Sequence, residues 1–309
     1  MKRTLVVLLI LAGIVSKAQN IQYSVVSNEP PEIPKLSLNT DLVQIEVIPS
    51  SFDASSMNLG VWGHYEIIPN KIGAQFNVRR SIFAFGRLGE KKFPPHLSLE
   101  LGGYYVLKND LKNKQTKVLL NREYSGTTYS TNFRGEGTYS YTTTDTYIKI
   151  PSDKRIQLLA RGGFYLKNDG NNMRFIDDDW VLNGNPEFAK LSSVGVYLGL
   201  NLRSLTSIFV DTEEYGVQFA SIGKDLYFDV LILPSNTFTD LDGNDITDTV
   251  KDYKSGGPVG FKAGYKLFQI DPFEKTGKRF GLCATFEGGM RPYTGFFVNA
   301  GIGLTFIKK

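Results

Sequence analysis

The last stretch of the chain constrains its fold most strongly. From Gly295 to Phe306, apolar residues alternate with small or polar ones. A strand places successive side chains on opposite faces, so this pattern predicts a β-strand with one apolar face. One face suits lipid, and the other suits a crowded or wet interior. The apolar face comprises Phe296, Val298, Ala300, Ile302, Leu304 and Phe306, and the opposite face includes Asn299, Gly301, Gly303 and Thr305.

Similar alternation recurs along the chain. It is clearest in residues 57–67, 96–107, 191–203, 257–268 and 279–291. A soluble sandwich has the same periodicity, but long strands joined by alternating short and long connections are typical of membrane barrels. The sequence therefore favours an all-β fold, an antiparallel transmembrane β-barrel of about twelve strands, with ten to fourteen left open.

The connections divide into two sets in this interpretation. Short turns are expected at Ile68-Pro69-Asn70, Lys108 to Gln115 and Pro151 to Lys154. Ser204 to Gly223 breaks the alternation, as a long connection or an extra hairpin. The other set is long and would face the cell exterior; it contains Gly86 to Pro95, the hairpin tip Gly126 to Ser140, Asn168 to Lys190 and Ser235 to Gly256.

The N-terminus has the features of a secretory signal. A basic start precedes the apolar run Leu5 to Val15, and small residues lead to expected cleavage after Ala18. The expected organisation is a signal peptide at 1–18, an N-terminal periplasmic segment at 19–40 and the barrel at 41–309. Cleavage removes three basic residues, which lowers the formal charge from +4 to +1. No basic block indicates nucleic-acid binding, and the single cysteine excludes an internal disulfide.

The end of the chain carries a motif of its own. Asn299, Gly301, Leu304 and Phe306 match the pattern polar-x-Gly-x-x-apolar-x-aromatic, although Ile307-Lys308-Lys309 follow the aromatic residue. This pattern resembles the C-terminal assembly signal of outer-membrane barrels. With the Ala18-Gln19 processing site and the Tyr/Phe/Gly-rich strands, the chain resembles an outer-membrane β-barrel protein of the Bacteroidota type. The resemblance implies location in the cell outer membrane and insertion by the barrel assembly machinery, and it implies no particular substrate.

Catalytic chemistry finds little support in the sequence. His96, Ser98 and Glu100 share one face, but strand neighbours two residues apart lie about 7 Å apart, which is long for a nucleophile and its base. A row of polar interior residues is the simpler interpretation. We therefore expect no catalytic residues, no enzymatic activity and no cofactor.

The densest acidic segment lies between Asp240 and Asp248. Asp240, Asp242 and Asn244 are weak candidates for Ca²⁺ ligands, because alternate oxygen-bearing residues can suit that ion. The spacing does not fit an EF-hand, so an exposed turn is favoured and no metal site is expected.

Charged residues of both signs fall on the faces predicted to point inward. They would either line a narrow pore for small solutes or pair with one another and fill the interior, and the sequence leaves both open. The lumen charges are Glu66, Arg79, Glu100, Arg161, Asp229, Lys262, Lys266 and Glu287.

Three functions follow from these patterns. The first is a narrow, porin-like channel for small solutes. The second is a closed accessory barrel of a secretion or assembly complex, which docks a protein partner through its extracellular loops or N-terminal segment. The third, a lipid-modifying enzyme, is disfavoured by the histidine argument. In each case, outer-membrane lipid and the barrel assembly machinery are the expected partners, and nucleic acid is not.

Overall fold

The structure is a computed structural model of the chain. It describes residues 21–27, 33–49, 55–84, 96–131, 137–172, 188–253, 257–270 and 280–308. The expected signal peptide and its processing site lie outside the described residues. So do the loop Gly86 to Pro95, the centre of the predicted hairpin tip and most of the loop Asn168 to Lys190.

The described residues form eleven β-strands and one short helix. Among the described residues, no helix is long and apolar enough to cross a bilayer. The strands are β1 (Tyr23–Ser27), β2 (Leu36–Val47), β3 (Ser56–Ile68), β4 (Ile72–Ala84), β5 (Leu97–Thr131), β6 (Gly137–Asn172), β7 (Phe188–Thr212), β8 (Gly216–Thr239), β9 (Val259–Phe268), β10 (Gly281–Arg291) and β11 (Gly295–Lys308), and the helix is α1 (Thr247–Tyr253).

The strands close into an antiparallel barrel. Consecutive strands from β2 to β11 are neighbours, and β11 pairs with β2, so the first and last strands of the ring meet. Ten strands form the ring, and β1 adds to β7 outside it. The predicted fold class is confirmed, and the ring lies at the lower end of the expected range of ten to fourteen strands. Residues 36–40, assigned from sequence to the N-terminal segment, belong to β2.

Side-chain exposure distinguishes this barrel from a soluble sandwich. On β10, Leu282 and Phe286 are 68% and 55% exposed, whereas Thr285 and Glu287 between and beside them are buried. On β3, β7 and β9, the apolar side chains are likewise exposed and point outward. A soluble fold would bury these apolar side chains. The predicted assignment of faces is confirmed, and the exterior is the apolar one.

Two predicted turns are wrong. Lys108 to Gln115 lies within β5, and Pro151 to Lys154 lies within β6, so four expected strands are two long ones. The two polar segments face each other across the β5–β6 pair, where Asn113 Nδ2 donates to Asp153 Oδ1 at 3.0 Å and Ser152 Oγ donates to the Lys114 carbonyl at 3.4 Å. The polar residues of these two segments therefore do not form turns, because the strand continues through each of them.

This change coincides with a division of the chain into two compact units. Unit 2 comprises Glu29–Lys114, Ser152–Ser207 and Ser221–Lys309. It contains six ring strands whole and part of each of the four long ones, β5 to β8. Unit 1 comprises Met1–Asn28, Gln115–Pro151 and Ile208–Ala220. Within unit 1, Val118, Leu120, Ile150, Ile208 and Val210 form a buried apolar cluster.

The longer strands also change how the connections are counted. Counted from β2–β3, the β5–β6 connection is the fourth, so it lies at the same end of the strands as the short β3–β4 turn. The prediction that it belongs with the long loops at the other end is wrong. Ser204 to Gly223 is a hairpin, since β7 continues to Thr212 and β8 begins at Gly216. The hairpin is formed by the two ring strands themselves, so it adds no strands and differs from both expected alternatives, a long connection and an extra hairpin.

Candidate functional site

The interior of the ten-stranded ring is filled with charged side chains. Arg79 on β4 and Glu287 on β10 are 2.7 Å apart, although three strands separate β4 from β10 on the shorter path around the ring. Two such side chains can meet only across the interior. Because each strand alternates, every second residue of these strands contributes a group to this space.

A central cluster joins six of the eight predicted lumen charges. Lys262 Nζ lies 2.6 Å from Glu100 Oε1 and 3.4 Å from Glu287 Oε2, so one ammonium bridges β5 and β10. The Tyr227 hydroxyl donates a further hydrogen bond to Glu287. All of these side chains are buried, so each charge depends on its partners and not on water.

The rest of the central cluster extends from Asp229. Arg161 Nε lies 3.2 Å from Asp229 Oδ1, and Lys262 Nζ lies 3.6 Å from Asp229 Oδ2. The Arg161 guanidinium also stacks over the Tyr227 ring at 4.5 Å. The cluster therefore balances three cations against three carboxylates; its members are Arg79, Glu100, Arg161, Asp229, Lys262 and Glu287.

Glu66 and Lys266, the other two predicted lumen charges, do not join this cluster. Both are buried, and neither has an ion pair among the described residues. Glu66 accepts a hydrogen bond from the backbone N–H of Asn70 at 3.4 Å. Lys266 lies over the ring of Trp62 at 4.5 Å. Near them, Arg203 and Asp225 form a bidentate pair with distances of 2.9 and 3.0 Å.

A second cluster surrounds His96. Glu46 accepts from Lys167 at 2.6 Å and from both terminal nitrogens of Arg291 at 2.9 and 3.0 Å. Asp169 lies 3.2 Å from Lys167 and 3.3 Å from His96 Nδ1. Sequence reasoning missed Asp169 because it ended the strand at 167, whereas β6 continues to Asn172. Extending the alternation of Arg161 by three and four steps of two residues would have found Lys167 and Asp169.

The His96 cluster also has metal-ligand chemistry. Oxygen and nitrogen atoms of Glu46, His96 and Asp169 lie within 4.8 Å of one another. However, Lys167 and Arg291 already neutralise the two carboxylates, so the chain supplies its own cations at this position.

The predicted calcium candidates form a capped turn after β8. The Asp240 carboxylate accepts hydrogen bonds from the Asn244 amide side chain at 2.8 Å and from the backbone N–H groups of Asn244 and Asp242 at 2.8 and 2.9 Å. These bonds, above all the one from the Asn244 side chain, lower the pKa of Asp240 below its usual value. The carboxylate serves as the acceptor of an Asx turn, the interpretation that the sequence favoured.

The four residues of the proposed assembly signal lie on β11, which pairs with both β10 and β2. Asn299 and Gly301 point into the ring, where Asn299 is opposite Glu287 on β10. Phe306 points outward and Leu304 is half-buried. Their role in assembly stays a prediction from the sequence motif.

The row His96, Ser98 and Glu100 is buried inside the ring as predicted from alternation. The backbone N–H of His96 donates to Ser81 Oγ at 2.7 Å, and the Gly170 N–H donates to His96 Nε2 at 3.4 Å. The carboxylate nearest to His96 is Asp169, not Glu100. Asp169 on β6 is therefore a partner of His96 that the predicted row on one strand did not include.

No protein-family model and no curated protein matches this chain. Among solved structures, the chain is similar to OmpT, an outer membrane protein of Vibrio cholerae, with 10% identity and a TM-score of 0.18 over 88% of this chain and 96% of that one. It is also similar to a loop L8 deletion mutant of OmpT, with 11% identity and a TM-score of 0.17 over 88% and 98% of the two chains. Likeness at this level does not assign an activity.

The expectation that the chain has no enzymatic activity is withdrawn. The solved structures that match the chain include two forms of OmpT, which do not support that exclusion. That expectation was argued from the separation of about 7 Å between neighbours on one strand, which leaves out residues of other strands such as Asp169, 3.3 Å from His96.

Proposed function

We propose that the chain is an outer-membrane β-barrel whose interior is closed by its own side chains, and that it works by docking a protein partner through unit 1. The observation that carries the proposal is the network of ion pairs across the ring. A conducting pore needs a continuous water-filled path, in which charges are screened and side chains stay exposed. Here the charged side chains of the central cluster are all buried.

The apolar exterior of the ring supports the membrane location. Leu198, Leu200, Phe261 and Phe286 are each more than two-fifths exposed, and in lipid this exposure carries no hydrophobic cost. Outer-membrane lipid would cover this belt. We also propose insertion by the barrel assembly machinery and the Bacteroidota type, which follow from the C-terminal motif, the Ala18-Gln19 processing site and the Tyr/Phe/Gly-rich strands.

Unit 1 supports the docking role. It contains β1 and residues 115–151 of the β5–β6 hairpin, which are parts of the N-terminal segment and of the hairpin that the sequence suggested as docking surfaces. It has an apolar cluster of its own, so its surface has a fixed shape. Tyr124, Tyr129 and Tyr147 are exposed on the hairpin strands, and tyrosine is enriched in protein interfaces.

Single-channel recording tests the closed interior. We expect the wild-type barrel in planar bilayers to show no steady conductance. Lys262→Ala removes the side chain that touches three carboxylates and should introduce brief openings. Lys251→Ala, on the exposed helix α1, is the matched control and should stay silent. Steady conductance of the wild-type protein would contradict the proposal and favour the channel.

Site-specific photocrosslinking tests the docking surface. A photoreactive residue at Tyr124 or Tyr129 should give a discrete protein adduct in native membranes. The same residue at Phe286, on the apolar exterior, should give lipid adducts and no discrete protein band. Protein adducts at Phe286 with none at the two tyrosines would show that any partner binds the barrel wall and not unit 1.

A further inference from the structure

Lys266 differs from the other cations of the ring interior. Its ammonium has no carboxylate within ion-pair distance in the part of the chain that the structure describes, although the residue is only 9% exposed. Its close neighbours are the rings of Trp62 at 4.5 Å and Tyr227 at 5.5 Å. Contact with an aromatic face replaces only part of the hydration that a buried ammonium loses.

The carboxylates near Lys266 are already held by other donors. Asp225 receives two hydrogen bonds from Arg203. Asp41 accepts from Trp62 Nε1 at 3.1 Å and from Thr285 Oγ1 at 3.3 Å. Glu100 lies 2.6 Å from Lys262. Among the described residues, Lys266 therefore has no carboxylate of its own at ion-pair distance.

A small cavity of about 20 Å³ lies beside this group. Its charged lining consists of the cations Arg161, Arg203 and Lys266 and the carboxylates Glu100 and Asp225. Arg203 is buried, and its Nη1 has no hydrogen-bond partner among the described residues. A volume of this size holds one particle about as large as a water molecule.

We propose that this cavity binds one small monovalent anion of the halide class, with the Lys266 ammonium and Arg203 Nη1 as its ligands. The ion gives the Lys266 ammonium the anionic contact that it lacks and supplies the acceptor that Arg203 Nη1 lacks. Sulfate and gluconate are too large for a space of about one water. The site does not depend on the docking role of unit 1.

Thermal unfolding in detergent, followed by heat-modifiability on gels, tests the site. Chloride or bromide replaces gluconate at constant ionic strength. We expect the midpoint of wild-type unfolding to rise with halide concentration, because a ligand that binds only the folded state stabilises it. Lys266→Met should lose the halide dependence, and Lys251→Met on the exposed helix should keep it. No halide dependence in the wild type, or equal dependence in Lys266→Met, would overturn the proposal.

Anomalous diffraction from wild-type crystals grown in bromide provides a second test that does not require the variant to fold. The expected result is an anomalous peak in the cavity, in contact with Lys266 Nζ. Density there without anomalous signal would show that water fills the cavity, and the anion would have to be abandoned.

Discussion

Lys262 Nζ lies 2.6 Å from Glu100 Oε1, a contact that joins β9 to β5 through the interior of the ring. At least three other strands lie between β5 and β9 along either path around the barrel. The contact therefore crosses the interior of the barrel and links two strands that share no backbone hydrogen bonds. It also indicates which substitutions should be most damaging.

Glu100→Ala should destabilise the barrel by about 3–5 kcal/mol, because it leaves three buried cations of the central cluster against two carboxylates. Heat-modifiability on gels measures the loss. The control is Asp110→Ala, which breaks the surface pair of Lys108 and Asp110, whose atoms are 3.1 Å apart. Exposed pairs contribute about 1 kcal/mol or less. Equal effects of the two substitutions would mean that the interior is hydrated.

Phe286→Arg should cost about 2–4 kcal/mol if the residue faces the middle of the bilayer. Phe286→Leu keeps the apolar surface and should change stability little. The measurement is unfolding of the barrel in liposomes by denaturant. If the arginine variant were as stable as the leucine variant, the apolar exterior would not face lipid.

Carbonate or high-salt extraction of native membranes should leave the mature protein in the membrane fraction. A spanning barrel is held by its apolar belt, and neither treatment removes that surface from lipid. Release of the protein into the soluble fraction would contradict the membrane location.

Ile208→Ala should weaken unit 1 without opening the ring. Ile208 is fully buried in the apolar cluster of unit 1, and removing three methyl or methylene carbons from such a site typically costs about 2–5 kcal/mol. Limited proteolysis should then cut residues 115–151 sooner, while heat-modifiability stays unchanged. Loss of both properties together would show that the two units unfold as one.

The turn after β8 should loosen in acid. Hydrogen bonds hold the pKa of Asp240 lower in the folded turn than in the unfolded chain. The stabilising contribution is therefore present above the unfolded pKa and is lost as the pH falls through the folded pKa. Amide exchange at Asn244, corrected for the intrinsic pH dependence, should report this. Asp240→Asn is the control and should show no such acid transition.

The sequence predicted the barrel because alternation is a local property. Leu282 and Phe286 alternate with Cys283 and Thr285 whether or not the rest of the ring is known. The same rule placed Arg79, Glu100 and Glu287 on the inner face. It failed at Lys108 to Gln115 and Pro151 to Lys154, where polar residues continue a strand and do not end it.

The pairing of the interior charges was beyond prediction for a different reason. Arg79 and Glu287 are 208 positions apart, and their contact depends on the number of strands in the closed ring. An expected ring of about twelve strands gives different opposing positions from a ring of ten. Asp169 was missed because the end of β6 was placed too early, at a boundary that local sequence does not define well.

The pairing of β11 with β2 has a consequence for the order of assembly. The Thr40 hydroxyl donates a hydrogen bond to the Leu304 carbonyl across this junction, and the two residues are 264 positions apart in the sequence. The free edge of β2 therefore stays open until almost the whole chain has been delivered. Contacts between such distant residues form slowly, because the entropy cost of closing the long loop comes before the contacts contribute any stability. The ring is open until β11 pairs with β2, so we expect the interior charges to lose their water only when the barrel closes.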